Sequence, residues 1–150
     1  MLKEIVEKGH YCFVEKVDSW QDAIRQSYAP LLKDNTVENE YVEAVIECVN
    51  KYGPYIVIVP GIAMPHSTEG AVVCNGTAIS FMKVEEEVDF DPEDPDKKAK
   101  LFFSLAAIDH DQHIQNIQSL MDTLMNEDIV EALMNAKTKG DLEEIANQYE

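Results

Sequence analysis

Basic side chains are scarce in this chain of 150 residues. Twelve lysines and arginines stand against 29 aspartates and glutamates, a net charge of −17 at pH 7. Contacts to a phosphate backbone need clustered cations, so the balance argues strongly against nucleic-acid binding. An anionic membrane surface is disfavoured for the same reason, whereas a positively charged protein partner would be steered inward. Cysteine is sparse too. Cys12, Cys48 and Cys74 are odd in number, widely spaced and set among apolar neighbours, with no C-x-x-C pair. That pattern suits neither a disulfide framework nor a zinc knuckle, and reads as free buried thiols in a reducing compartment. No apolar run reaches the roughly 20 residues that cross a bilayer, so no direct membrane insertion is expected. The opening segment, MLKEIVEKGHYC, is charged and amphipathic. It lacks the apolar block and small-residue cleavage site of a secretory signal, and a cytoplasmic location is expected.

What is present is an ordinary globular composition, 45% apolar. The length predicts one domain over residues 1–150, large enough to bury a core. SWQD at Ser19 to Asp22 resembles a capping box and opens a helix with Trp20, Ile24, Tyr28, Leu31 and Leu32 near helical spacing. Pro30 is expected to kink or shorten it. A second helix is predicted from Glu38 to Lys51, with Val42, Val45, Ile46 and Val49 on one face and Gly53-Pro54 as its stop.

Tyr55 to Val59 is a short apolar run without polar alternation, which suits a strand covered on both faces. A second strand is expected within Ala71 to Val84, interrupted by a turn or bulge at Asn75-Gly76. A third covers Ala99 to Asp109. Between these two, eight of the twelve residues from Glu85 to Asp96 are acidic. This stretch reads as a solvated loop with a short strand near Val88 to Phe90. Its spacing does not match an EF-hand.

The remainder reads as helices striped by Ile114, Ile117, Leu120, Met121 and Leu124, then by Ile129, Val130, Leu133 and Met134. A last one, capped near Thr138, carries Leu142, Ile145 and Tyr149. Helices, then strands, then helices predict an α/β fold, a mixed β-sheet sandwiched between helices.

The chemistry concentrates at GIAMPHS, Gly61 to Ser67. Pro60 cannot donate to a sheet ladder, Gly61 permits a sharp change of direction, and Pro65 stiffens the backbone before His66. A histidine held just past a buried strand stands where α/β folds bind ligands. Neutral imidazole can accept a phosphoryl group, act as a general base or ligate a metal. His110 and His113 follow the third strand at the start of a helix. If the two strand ends are neighbours, His113 can orient His66 or donate to a bound phosphoryl oxygen. Ser67 and Thr68 offer further hydroxyl donors. His110 and His10 read as exposed and incidental.

Taken together, WQDAI, YGPYIVIVPGIAMPH and LFFSLAAID followed by His113 resemble the EIIA components of the sugar phosphotransferase system, mannitol and fructose class. The match spans nearly the whole chain, and WQDA, YGPY, PGIAMPH and AAID in that order most resemble the ascorbate-specific branch. The resemblance implies an EIIA mannitol/fructose-like fold and no cofactor. It implies that His66 takes a phosphoryl group from the phosphocarrier HPr and hands it to an EIIB partner, for a sugar entering through a membrane EIIC. It assigns His113 the assisting role. Ile62, Ala63 and Met64 are then candidates for an apolar docking rim. Two positions depart from the family pattern. The helix before the PH motif, ENEYVEAVIECVNKYG, offers no arginine, only Lys51 near its end, and Ser67 stands where a glycine commonly follows the active histidine. Two other readings stay open. One is a regulatory EIIA-like interaction module that senses phosphorylation. The other is a metal-dependent hydrolase using His66, His113 and Asp109.

Overall fold

The computed structural model describes residues 1–67 and 74–150. The elements in chain order are α1 (Leu2–Lys8), β1 (Tyr11–Val14), α2 (Trp20–Lys33), α3 (Asn39–Tyr52), β2 (Val57–Val59), β3 (Gly61–Ala63), β4 (Ala78–Asp89), β5 (Lys98–Ala106), α4 (His110–Leu124), α5 (Glu127–Asn135) and α6 (Lys139–Tyr149). The strands form a single mixed sheet in the order β1-β4-β5-β3-β2. The β1/β4 and β3/β5 pairs are parallel, and the β4/β5 and β2/β3 pairs antiparallel.

The central strands are apolar on both faces because both faces are covered. Met82, Val84 and Phe102 pack with α2 and α3 residues such as Ile24, Tyr28, Val42 and Val45. The alternate residues Phe81, Leu101 and Phe103 pack on the other face with Leu2, Ile5, Leu133 and Leu142. The period of two along β4 and β5 thus divides the side chains between two cores. The predicted α/β sandwich is the observed architecture.

Local signals explain several boundaries. Ser19 Oγ accepts the Asp22 amide at 3.1 Å and starts α2. Asp22 reaches the Asp18 amide instead of completing the reciprocal bond to Ser19. Thr138 and Asp141 do form a full capping box at α6. Pro30 lies inside α2, which continues to Lys33. The carbonyl that Pro30 leaves without an intrahelical donor, that of Gln26, accepts from the Cys12 thiol at 3.6 Å. Burial pushes that thiol up to about 12 and keeps it protonated as a donor.

Four points add to or correct the expectations. First, the sequence pattern predicts neither β1 nor the helix α1 before it, since four residues of strand give no readable alternation. Second, β4 starts at Ala78, inside the expected span from Ala71 to Val84 and after a bend at Asn75-Gly76, and it runs on past Val84. Residues 71–73 of that span lie outside the described residues. Third, the acidic stretch is half strand: β4 runs to Asp89 through a register shift, and Val88 pairs with Ala99. Beyond it, Asp89, Asp91 and Asp94 each accept the amide two residues on, so the carboxylates build the turn. Fourth, His10 is buried, with Nε2 2.5 Å from Asp34 Oδ2.

The apolar run at Val57 also resolves differently from the expectation. It is the first arm of a tight hairpin, turned at Pro60, and Gly61 opens the second arm. Gly61 sits at φ 96°, a region L side chains rarely adopt. A Cβ there would also meet Met134 Cε at 3.0 Å, but that flexible methyl can yield. Gly61→Ala is therefore expected to cost about 1–3 kcal/mol through backbone strain. The urea midpoint should fall with an unchanged slope.

Candidate active site

The parallel pairing of β3 with β5 decides what comes together. Gly61, Ile62 and Ala63 pair with Ala99, Leu101 and Phe102. The chain leaves both strands in the same direction, and the Leu105 amide donates to the Pro65 carbonyl at 2.9 Å. The segment after β3 carries His66. The segment after β5 turns into α4, whose first turn carries His113. The two imidazoles face each other with ring centroids 5.5 Å apart and planes at 41°.

Each ring is held. His66 Nδ1 lies 2.6 Å from the Met64 carbonyl oxygen. A carbonyl only accepts, so Nδ1 carries the proton and Nε2 carries the lone pair. The Tyr55 ring stands edge-on to His66 at 5.2 Å and 87°. His113 rides on α4, whose start is fixed by the Asp109 carboxylate accepting the Gln112 amide at 2.9 Å. Gln112 in turn accepts from the Thr77 hydroxyl, and Asn116 donates to the Ala106 carbonyl at 2.9 Å. Burial lowers the pKa of His66, against the opposing pull of the Met64 carbonyl. Burial also lowers that of His113, helped by the neighbouring charges of His66 and His110. Both rings are consequently neutral at pH 7, the form in which one nitrogen is nucleophilic and another donates.

Other predicted site residues are placed unequally. The Ser67 amide donates to the Tyr41 hydroxyl at 3.3 Å, and its Oγ is 3.6 Å from Cys48 Sγ. Thr68 lies outside the described residues. Ile62, Ala63 and Met64 are 3%, 0% and 6% exposed, so they cannot form a docking rim. The reason is their strand: β3 is covered on both faces, and these side chains enter the two cores. Ile108, just before α4, and Ile114, on α4, are exposed apolar side chains. His110 is exposed. Lys51 is exposed at the end of α3, its Nζ 5.2 Å from the centre of the Tyr52 ring.

The sequence pattern did not single out three tyrosine hydroxyls. That of Tyr28 lies 2.9 Å from the Pro65 carbonyl and 2.8 Å from that of Leu105. That of Tyr41 accepts from Ser67 and donates to Leu105. That of Tyr55 donates to the His66 carbonyl. Tyr28 had been read only as part of an apolar stripe, and its burial hides a polar tip that must find a partner.

Among the described residues no three His, Cys, Asp or Glu side chains converge as a metal site, and Asp109 is turned into its own helix. Among them, too, no helix is long and apolar enough to cross a membrane.

Residues 4–149 match the model of the family described as "Phosphoenolpyruvate-dependent sugar phosphotransferase system, EIIA 2". The chain belongs to this EIIA family. It is 33% identical over 147 residues to the mannitol-specific cryptic phosphotransferase enzyme IIA component of Escherichia coli K12, covering 98% of both chains. It is 30% identical over 131 residues to the ascorbate-specific PTS system EIIA component of Salmonella typhimurium LT2, covering 85% of this chain and 84% of the other. The EIIA fold is equally plain in three dimensions. The complex of enzyme IIA mannitol with phosphorylated enzyme IIB mannitol from Escherichia coli matches with a TM-score of 0.75 at 29% identity, over 93% of this chain and 94% of that one. As an EIIA chain, the protein is a phosphotransferase component of sugar transport. Likeness to the mannitol relative extends further along the chain than the likeness to the ascorbate branch.

Proposed function

We propose that this EIIA chain is a single-domain, cytoplasmic phosphoryl carrier that works through His66. Nε2 attacks the phosphorus of phospho-HPr. A new N–P bond forms as the bond to the donor histidine breaks. The phosphoryl group then leaves Nε2 for a cysteine thiolate of an EIIB partner, and feeds a membrane EIIC that imports a sugar. No metal or nucleotide is needed for either exchange, because in-line transfer between two proteins rests on positioning and on neutralising phosphoryl oxygens.

The observation that carries this reading is the fixed tautomer of His66, with its free Nε2 beside His113. Three further features support it. A relative of the same fold is seen with its phosphorylated EIIB partner. Ile108 and Ile114 are exposed and flank His113 in sequence, an apolar footing for a transient partner. The charge of −17 favours a partner with a positive face. The sugar is not encoded in these residues, since an EIIA exchanges phosphate with proteins and need never touch the sugar. Mannitol and ascorbate, the substrates in the relatives' names, are the first to try in an uptake assay.

Incubation with phosphoenolpyruvate, enzyme I and HPr is expected to give one acid-labile, base-stable phosphate per chain, located on His66 by peptide mapping. Addition of the cognate EIIB should discharge it. No label, or label on another residue, overturns the carrier reading. A labelled chain that binds a transcription regulator and discharges to no EIIB would instead mark a regulatory module.

A further inference from the structure

We propose that the hydroxyls of Tyr28, Tyr41 and Tyr55 act as one positioning device that sets the attack direction of His66, an inference that rests on the carrier reading above. The three act on consecutive groups of one short segment. Tyr28 meets the carbonyl of the peptide group before His66. Tyr55 donates to the carbonyl of the peptide group after it, and Tyr41 accepts the N–H of that same group. Both peptide planes that flank the His66 Cα are thereby fixed, which determines its φ and ψ. The Nδ1–H bond to Met64 then fixes the ring itself. No freedom is left except small rocking of Nε2 about one direction.

The three tyrosines come from separate places in the chain. Tyr28 is on α2 and Tyr41 on α3, with rings edge-to-face at 5.8 Å. Tyr55 lies in the turn between α3 and β2, against the imidazole itself. Burial pushes the Tyr41 phenol up to about 12 and that of Tyr28 well above its ordinary value, so both stay protonated throughout the working range. Two buried hydroxyls and one half-buried one meet on the two peptide groups that flank His66, and those of Tyr28 and Tyr41 also reach the Leu105 carbonyl, which ties the segment to the end of β5. Positioning of a reacting atom is worth a great deal in transfer chemistry, where a misplacement of about 1 Å can cost about 100-fold. The residues do not touch the phosphoryl group and act only through His66.

Tyr55→Phe is the decisive variant because Tyr55 is only half-buried and the phenylalanine keeps the ring contact. The imidazole of His66 in the native protein should give ¹⁵N signals of one neutral tautomer, protonated at Nδ1. In Tyr55→Phe these signals should move toward the average of two tautomers. The single-turnover rate of phosphate acceptance from phospho-HPr should fall about tenfold, with the half-saturating HPr concentration unchanged. Tyr41→Phe should shift the same signals in the same sense. Unchanged ring signals and an unchanged rate in Tyr55→Phe, with only the melting temperature lowered, would show the hydroxyl to be structural and overturn the proposal. If the native chain accepts no phosphate, the carrier reading fails by itself. The imidazole signals still test the positioning device, which fails if they do not respond to Tyr55→Phe.

Discussion

His66→Ala abolishes phosphate acceptance while leaving the fold intact. The expected loss is on the order of 10⁶-fold, the scale seen when a nucleophile is removed, and therefore reaches the detection floor of a labelling assay. No other imidazole replaces it. His10 is buried against Asp34, His110 is exposed, and His113 lies across the site from the tautomer-fixing Met64 carbonyl. The backbone of the segment keeps its tyrosine bonds and loses only the imidazole bond to the Met64 carbonyl, so circular dichroism and the melting curve should change little. Label that persists on the variant would end the assignment. The pH profile follows from the same ring. Attack requires a neutral imidazole, and burial places the folded pKa of His66 below its ordinary value of 6.5. Acceptance should therefore survive as pH falls through 6.5 and fail only below the depressed value. The stability linkage has the same sign. The unfolded chain takes up the proton first, so this stabilising term is present above 6.5 and is lost as pH falls through the folded pKa.

The fold was legible where one signal sufficed. The α3 boundaries came from a four-valine-type stripe and a Gly-Pro stop, and the structure moves each by one residue. The α6 start came from Thr138. The α/β sandwich came from element order alone. Illegible features depended on distant partners. Pro30 is expected to kink or shorten α2, yet the helix continues to Lys33, with the freed Gln26 carbonyl facing the Cys12 thiol from β1. The carboxylates of Glu85 to Asp89 look solvated in sequence, yet β5 recruits that stretch into the sheet by backbone pairing, to which side-chain charge is largely indifferent. Conversely, α4 shows a clean apolar stripe but buries only Leu120, leaving Ile114 and Met121 at the surface. Periodicity reveals that a helix has an apolar face and not whether the molecule covers it.

The candidate site divides along the same line. The placement of His66 was legible because the prolines and glycine around it announce a stiff, non-helical segment at a strand end. His113 was legible as a conditional, and the parallel β3/β5 pairing supplies the condition. The rim residues Ile62, Ala63 and Met64 failed because nearness in sequence to an active residue was taken for nearness to its surface, whereas alternate strand residues dive into opposite cores. The tyrosine hydroxyls were invisible because Tyr28, Tyr41 and Tyr55 each sit in an apolar context that explains the ring and says nothing of the oxygen.

His113→Gln is expected to slow both acceptance and discharge of phosphate by about 10²–10³-fold without removing the label from His66, the range for loss of a positioned proton donor. The reason lies in charge. Before transfer, His113 is kept neutral by burial and by two imidazole neighbours, so it imposes no charge on the waiting nucleophile. As the phosphoryl group arrives, its negative oxygens enter the space between rings whose centroids are 5.5 Å apart. At an effective dielectric of about 20, a unit negative charge about 5 Å away favours the protonated ring by about 3 kcal/mol. His113 should then take up a proton and become a cation only while phosphate is bound. On this account the transient cation would do the work of the arginine that α3 lacks and would vanish again on discharge, so the phosphoryl group would not be trapped by a permanent charge. Two measurements check the account. The imidazole signals of His113 should titrate at clearly higher pH in the phosphorylated chain than in the free one. The kinetic penalty of His113→Gln should shrink as pH rises above the value at which the phosphorylated native chain loses that proton. A His113 titration that ignores phosphorylation, together with native rates in the variant, would leave His66 acting alone.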